Sequence, residues 1–315
     1  MSSHEIVYYR ARLANSNQAL RRHCWDLSLL VDAHFSGAKV DLHSCAEWLR
    51  RAAGVLSVDL DTAAFDDCFG YCETADDYFD RKSAIGSVAA TALTVFLFTW
   101  GGFEALATTL FSRRHIKRAG GKVKTACNAL NGSNGGAPQL SGYRETLSEL
   151  YEVLTIRGAH SPGLRRLKET PGNQLAGAAL SAVYELRNDF AHGDFRFPAP
   201  PDEMDRNDPD NLPSIRTINL SSRLVLLTMQ MLIISILPGA VVDVPREMRR
   251  FEDEDEEEYL AVLMKVVHLQ GQIGDEDEDQ LNLFEPERLM SDSGGEDVGS
   301  AARSSGPPAP SNSGT

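Results

Sequence analysis

Apolar residues along this chain recur mostly at intervals of three and four positions, which is the period of an amphipathic helix. Near the N-terminus, for example, Ile6, Tyr9 and Leu13 follow this spacing. No internal repeat and no convincing run of strand-forming residues is visible. The sequence therefore predicts an all-α fold, with helices over residues 4–35, 44–53, 83–118, 143–158, 174–192, 215–237 and 245–270.

The segments between the predicted helices differ in character. Residues 59–80 are acidic but contain several aromatic residues, which indicates an ordered connection. Glycine and asparagine cluster at 129–142, which predicts a loop. Five prolines within residues 194–214 exclude regular structure there.

Two uncharged stretches, 83–103 and 224–242, are each close to the length that spans a bilayer. Both contain serine or threonine, and Pro238 interrupts the second. The first runs directly into Glu104, so the same helix continues with polar positions. Because a buried helix of an all-α core is also apolar on all sides, we interpret both as core helices of a cytoplasmic protein. Membrane spans are the alternative.

The negative charge of the chain is confined to its C-terminal part. The whole chain has a net charge of −14, and residues 251–315 alone hold 17 Asp and Glu against three Lys and Arg, which is also −14. Residues 1–250 are therefore neutral overall. Within them, residues 101–170 carry 11 Lys and Arg against five Glu, including the run RRHIKRAGGKVK at 113–124. Such a basic stripe can bind a polyanion, although a solvated helix end has the same composition.

The five cysteines form an odd set without regular spacing, which is typical of a reducing compartment. Cys68 and Cys72 could approach each other, but no second Cys or His pair has the spacing of a zinc site. We therefore expect no metal and no cofactor.

These patterns predict four regions. An N-terminal helical extension covers residues 1–82, and a helical domain covers 83–245. A charged helix follows over 246–270. Residues 271–315 are rich in acids, Gly, Ser and Pro, which predicts a disordered acidic tail.

The sequence LRNDFAHG at 186–193 places candidate chemistry at a predicted helix end. A glycine after the last turn and a cation within it are ordinary features of helix ends. Asn188 and His192, four residues apart, share one face of the helix, whereas Arg187 points about 140° away from His192. Two copies of the helix, related by a dyad, could surround one groove with these side chains.

The stretch RNDFAHG resembles the R-x4-6-H motif of HEPN domains, and FLFTWGGFEAL at 96–106 resembles the second-helix pattern of many HEPN proteins. The resemblance covers roughly residues 83–240. It implies a HEPN-like helical bundle that dimerises with the motif helices facing each other. In many members of that family, the dimer is a metal-independent endoribonuclease. The chain departs from one branch of the family at Asp194, where those members have a tyrosine.

The resemblance suggests catalytic roles for Arg187, Asn188 and His192, and the chemistry of these residue types fits. A histidine can take a proton from a ribose 2′-OH or give one to the 5′-oxygen. An arginine can stabilise the crowded phosphorane oxygens. Asn188 would orient the histidine or hold a phosphate. Glu104 is interpreted as structural, paired with an arginine of the bundle.

The leading hypothesis is a cytoplasmic endoribonuclease of a bacterial defence or toxin system. Its partners would be RNA, a second copy of the chain, and an antitoxin or other regulatory protein, without a membrane. The alternative is a non-catalytic HEPN-fold dimer that binds RNA, a nucleotide or a protein partner.

Overall fold

Helices form nearly all of the regular structure in the computed structural model, which describes residues 17–33, 35–36, 40–64, 73–132, 140–156, 167, 169–195, 212–248 and 257–272. In chain order they are α1 (Asn17–Asp32), α2 (His43–Gly54), α3 (Glu73–Leu110), α4 (Arg113–Ala119), α5 (Lys122–Gly132), α6 (Tyr143–Ile156), α7 (Leu175–His192), α8 (Pro213–Ile236) and α9 (Leu260–Val266). The all-α prediction is confirmed, while the HEPN-like arrangement stays a prediction. The predicted disordered tail, the Cys68 and Cys72 pair and most of the 194–214 segment lie outside the described residues.

The central helix of the fold is α8. Its side chains are buried on every side from Thr217 to Ile234, as the apolar pattern predicts for a core helix. Helices α3, α6, α7 and α9 pack around it, and α1 packs on α2 and α8. Buried residues of α1 and α2 belong to the same hydrophobic core as α8.

Two helices, α3 and α8, are long and apolar enough by length and composition to cross a membrane. The apolar window of α8 is entirely buried within the protein, whereas that of α3 is only 39% buried. Burial accounts for the hydrophobicity of α8 without a membrane. Most of the other side chains of α3 are half-buried, and Ile85, Val88, Leu93 and Phe98 pack against the core.

Helix α3 is longer than predicted, and both of its ends lie at other residues than predicted. It begins at Glu73 and ends at Leu110, so the predicted boundary between residues 82 and 83 lies inside it. A new helix, α4, begins because the Ser112 side chain accepts a hydrogen bond from the backbone N–H of His115. The predicted helix over 83–118 is therefore two helices.

Helix α5 occupies residues for which the apolar pattern predicts no helix. It extends four residues into the predicted 129–142 loop and ends at Gly132. Its buried residues are few, namely Thr125, Ala126 and Leu130. Such a short stripe with small side chains is a weak signal, which explains why it does not stand out in the sequence.

A small antiparallel sheet corrects the prediction of no strands and of one charged helix over 246–270. Its order is β1 (Phe35–Ser36), β2 (Val241–Asp243) and β3 (Glu257–Tyr259). Val242 pairs with Phe35 on one side and with Glu258 on the other. Strand β3 occupies the end of the acidic run at 252–258, and α9 begins at Leu260, directly after it.

A buried polar network joins α1, α8 and the C-terminal part of the described chain. Arg223 donates one hydrogen bond to His23 Nδ1 at 2.9 Å and another to the backbone oxygen of His268 at 3.1 Å. Gln230 accepts from His23 Nε2 and donates to His268 Nδ1 and to the backbone oxygen of Met264. His268 Nε2 in turn donates to the backbone oxygen of Ser141.

This network requires both imidazoles to be neutral, with the proton on Nε2, because each Nδ1 accepts a hydrogen bond. Burial, followed by the charge of Arg223, lowers the pKa of His268 to about 4 and holds that of His23 well below its ordinary value. Burial also lowers the pKa of Arg223 to about 10, so its guanidinium stays charged near neutrality. A protonated histidine here would face a buried positive charge.

We expect the free energy of unfolding to fall as the pH is lowered from about 6.5 to about 4. In the unfolded chain these histidines bind protons below their ordinary pKa of 6.5, whereas the folded protein resists protonation. The shift at His268 alone corresponds to about 3 kcal/mol of stability lost by pH 4. Urea unfolding across this range measures it. The control is His192→Ala, which removes an exposed histidine and should give the same pH dependence as the unchanged protein. If the free energy of unfolding of the unchanged protein stayed constant between pH 6.5 and pH 4, the role of the network would be contradicted.

Candidate functional site

Helix α7 carries the predicted motif at its C-terminal end. The helix extends through His192, and its buried face consists of Gly177, Ala179, Leu180, Ala182, Val183 and Leu186. That face packs mainly on α5, with further contacts to α8. The motif thus forms the last turn of a helix whose first three turns are held in the core.

The end of α7 is fixed by Gly193. Its backbone has φ of 77°, a left-handed conformation that glycine adopts without strain. The N–H groups of Gly193, Asp194 and Phe195 all donate to the backbone oxygen of Asp189. The predicted helix stop after His192 is confirmed.

We expect Gly193→Ala to reduce the stability of the protein by about 1–2 kcal/mol, because alanine is strained in the left-handed region. The distortion would lie directly beside His192, so any activity that depends on this side chain should fall as well. Thermal unfolding checks the first effect. Gly132→Ala is the matched control, since Gly132 ends α5 with open space around its Cβ position and without a left-handed φ. Equal stability of the two variants would contradict the expectation.

An aromatic cluster anchors the last turn of α7. The ring of Phe190 meets Phe96 of α3 edge to face at 5.2 Å and Phe195 at 4.4 Å. Contacts of this type add stabilisation beyond the area that they bury. The phenylalanine inside RNDFAHG therefore holds the motif against α3, a role that the sequence analysis did not assign.

The three predicted site residues lie together at the solvent end of α7, but one chain does not bring all of them onto one face. Arg187 and Asn188 are half-buried, and His192 is exposed. An Nη1 atom of Arg187 donates to Asn188 Oδ1 at 3.4 Å. Because α7 is helical through His192, the offset of about 140° between Arg187 and His192 holds in the folded chain.

Asp189 adds a carboxyl group that the sequence analysis did not consider. Burial, and then the negative charges of Asp194 and Glu185, raise its pKa, while His192 opposes the rise. Asp189 and His192 lie three residues apart, on neighbouring turns of α7.

Glu104 has a structural environment, although its partner is not the predicted arginine. One carboxylate oxygen accepts from Trp100 Nε1 at 2.9 Å, and the other lies 3.3 Å from Lys122 Nζ. Trp100 in turn stacks on Tyr184, with ring centroids 5.9 Å apart. This chain of contacts links α3, α5 and α7. Its residue on α7, Tyr184, stands three positions before Arg187.

The basic run divides between two helices. Arg113, Arg114, Lys117 and Arg118 are all exposed on α4, and Lys122 and Lys124 begin α5. Within the described ranges, no group of three or more His, Cys, Asp or Glu residues is placed to hold a metal ion. The end of α7 can supply an imidazole, a guanidinium and an amide.

Comparisons with models of protein families, with curated proteins and with solved structures found no match to this chain.

Proposed function

We propose that the protein is a metal-independent endoribonuclease of a bacterial defence or toxin system, acting in the cytoplasm. The observation that carries the proposal is the placement of Arg187, Asn188 and His192 at the solvent end of α7, where Arg187 donates to Asn188 and His192 is exposed. These groups can act on a phosphodiester without a cofactor.

In the proposed reaction, the 2′-oxygen of a ribose attacks the adjacent phosphorus and the bond to the 5′-oxygen breaks. His192 takes the 2′-OH proton or protonates the leaving 5′-oxygen. Arg187 donates to the phosphorane oxygens and is held by Asn188. The products are a 2′,3′-cyclic phosphate and a 5′-hydroxyl.

The proposed active unit is a homodimer. Within one chain, the angular offset of Arg187 from His192 prevents both from facing one phosphate across a regular helix. A dyad that brings two α7 ends together would place an arginine of one copy near the histidine of the other. An antitoxin or other regulatory protein remains part of the proposal, and no membrane is required.

The experiment is cleavage of a mixed pool of labelled RNA by the purified full-length protein in the presence of EDTA. We expect cleavage to continue with EDTA and to leave 2′,3′-cyclic phosphate ends, which phosphatase does not remove and acid treatment opens. Cleavage that stops with EDTA would contradict the metal-independent mechanism. RNA binding without cleavage would favour the non-catalytic alternative.

A further inference from the structure

Tyr184 presents an aromatic side chain to solvent on the helix that carries the candidate site. The residue is 39% exposed, and it lies on α7 three positions before Arg187 and four before Asn188. Residues at these two spacings are neighbours on the surface of a helix. Tyr184 therefore adjoins the pair in which Arg187 donates to Asn188.

The ring of Tyr184 is supported from within the protein. Trp100 of α3 is only 3% exposed and stacks on it, with ring centroids 5.9 Å apart and ring planes 17° from parallel. Trp100 is itself fixed, because its Nε1 donates to Glu104 at 2.9 Å and its ring packs on Phe103 at 5.1 Å. The indole covers one face of Tyr184, so the exposed surface of the tyrosine belongs to the rest of its ring.

The same aromatic cluster holds the motif. The ring of Phe96 contacts Trp100 at 6.2 Å and Phe190 of the motif at 5.2 Å, measured between centroids. Tyr184 and the end of α7 thus rest on one continuous set of rings. A rigid aromatic side chain loses little conformational freedom when a ligand stacks on it, which favours binding.

The position of this ring suits a single strand of RNA. Three residues of a helix rise about 4.5 Å, so Tyr184 lies about that far along the helix axis from Arg187. Each nucleotide carries its base and its phosphate on one ribose, so a phosphate at Arg187 brings a neighbouring base within reach of Tyr184. Every base has a flat π face, and aromatic side chains bind unpaired bases by stacking on it. A base inside a duplex is already stacked within it.

We propose that Tyr184 stacks on an unpaired base next to the cleaved phosphodiester, and that it thereby selects the bonds at which the protein cuts. The inference rests on the proposed function, since it takes RNA as the substrate. Tyr184 has no part in proton transfer. Its stacking binds the substrate and the transition state alike, so its loss should raise KM and leave kcat nearly unchanged.

The test is binding of a labelled single-stranded octanucleotide to the full-length protein, measured by fluorescence anisotropy. The RNA carries 2′-O-methyl groups, which block attack by the 2′-oxygen and prevent cleavage. Tyr184→Leu should weaken binding about tenfold or more, because the stacking on one base is lost. Tyr184→Phe keeps the ring and should bind like the unchanged protein.

Tyr78→Leu is the matched control, because it removes a tyrosine of similar exposure, 37%, from α3. It should bind the octanucleotide as the unchanged protein does. Thermal unfolding verifies that each variant is folded. Equal binding by Tyr184→Leu and Tyr78→Leu would overturn the proposal.

An abasic strand of the same length separates stacking from a structural role of Tyr184. It keeps the phosphates but has no bases, so the unchanged protein should bind it about tenfold or more weakly than the complete strand. On the abasic strand, Tyr184→Leu should have no further effect, because the stacking partner is already absent. Equal binding of the two strands by the unchanged protein would overturn the proposal, and this measurement requires no variant to fold.

Cleavage of unmodified RNA distinguishes failure of this inference from failure of the proposed function. If the protein cuts RNA and the KM of Tyr184→Leu equals that of Tyr78→Leu, stacking by Tyr184 is contradicted and the proposed function stands. If the protein binds the octanucleotide through Tyr184 but cuts no RNA, the stacking stands and the proposed function is contradicted. If the protein neither binds nor cuts RNA, both are overturned.

Discussion

Replacing His192 with alanine is expected to reduce the rate of RNA cleavage by about 10²- to 10⁴-fold, the range for removal of a general acid or base. The side chain is exposed at the end of α7, so its loss should not change the fold. Single-turnover cleavage of a labelled RNA measures the chemical step. His115→Ala is the matched control, because His115 is also exposed and belongs to the basic run on α4. Equal rates for the two variants would remove His192 from the mechanism.

Arg187→Ala is expected to have a comparable effect, since its charge would act mainly in the transition state. Arg187→Lys should restore little of the rate, because lysine cannot donate two parallel hydrogen bonds to the phosphorane oxygens. Full activity of Arg187→Lys would indicate that the residue supplies charge alone.

Mixing the Arg187→Ala and His192→Ala chains tests whether the site is shared between two copies. If one phosphate requires the arginine of one copy and the histidine of the other, the mixed dimer contains one intact site and recovers part of the activity. Each variant alone keeps only its residual rate. No recovery, together with a monomer in sizing experiments, would place the site within one chain.

The second large effect concerns stability. Gln230→Leu is expected to destabilise the protein by about 3 kcal/mol or more, because it removes the hydrogen bonds that join Gln230 to three buried polar atoms. These are His23 Nε2, His268 Nδ1 and the backbone oxygen of Met264. Leucine has a similar size, so the loss should come from hydrogen bonding rather than from a cavity. Chemical denaturation measures the free energy of unfolding.

Met229→Leu is the control for this prediction. Met229 is buried in the same turn of α8, and the change from methionine to leucine conserves volume and usually costs less than about 1.5 kcal/mol. A loss below about 1 kcal/mol for Gln230→Leu would show that the network adds little to stability.

The periodic pattern is sufficient to predict the strongest helices. Helix α8 reads as apolar on all sides and is buried on all sides, and α6 and α7 lie within a few residues of their predicted bounds. The short strands are different, because β2 and β3 form only by pairing with each other and with β1. Pairing between distant residues leaves no local period in the sequence.

The candidate site shows the same division between local and distant information. The spacing of Asn188, His192 and Gly193 is local, so the helix end and its shared face could be predicted. The contact of Phe190 with Phe96 joins two helices about 90 positions apart in the chain, and nothing near either residue signals it. The partner of Glu104 is Lys122 for the same reason: the packing of α3 on α5 decides it.

The polar network has a consequence for the nascent chain. Arg223 follows His23 by 200 residues, which is about 10–40 s of synthesis at typical ribosomal rates. During that interval α1 can pack on α2, but it cannot bury His23 against its partners. Until α8 has left the ribosome, chaperones that recognise exposed apolar segments can bind the part of α1 that α8 later covers.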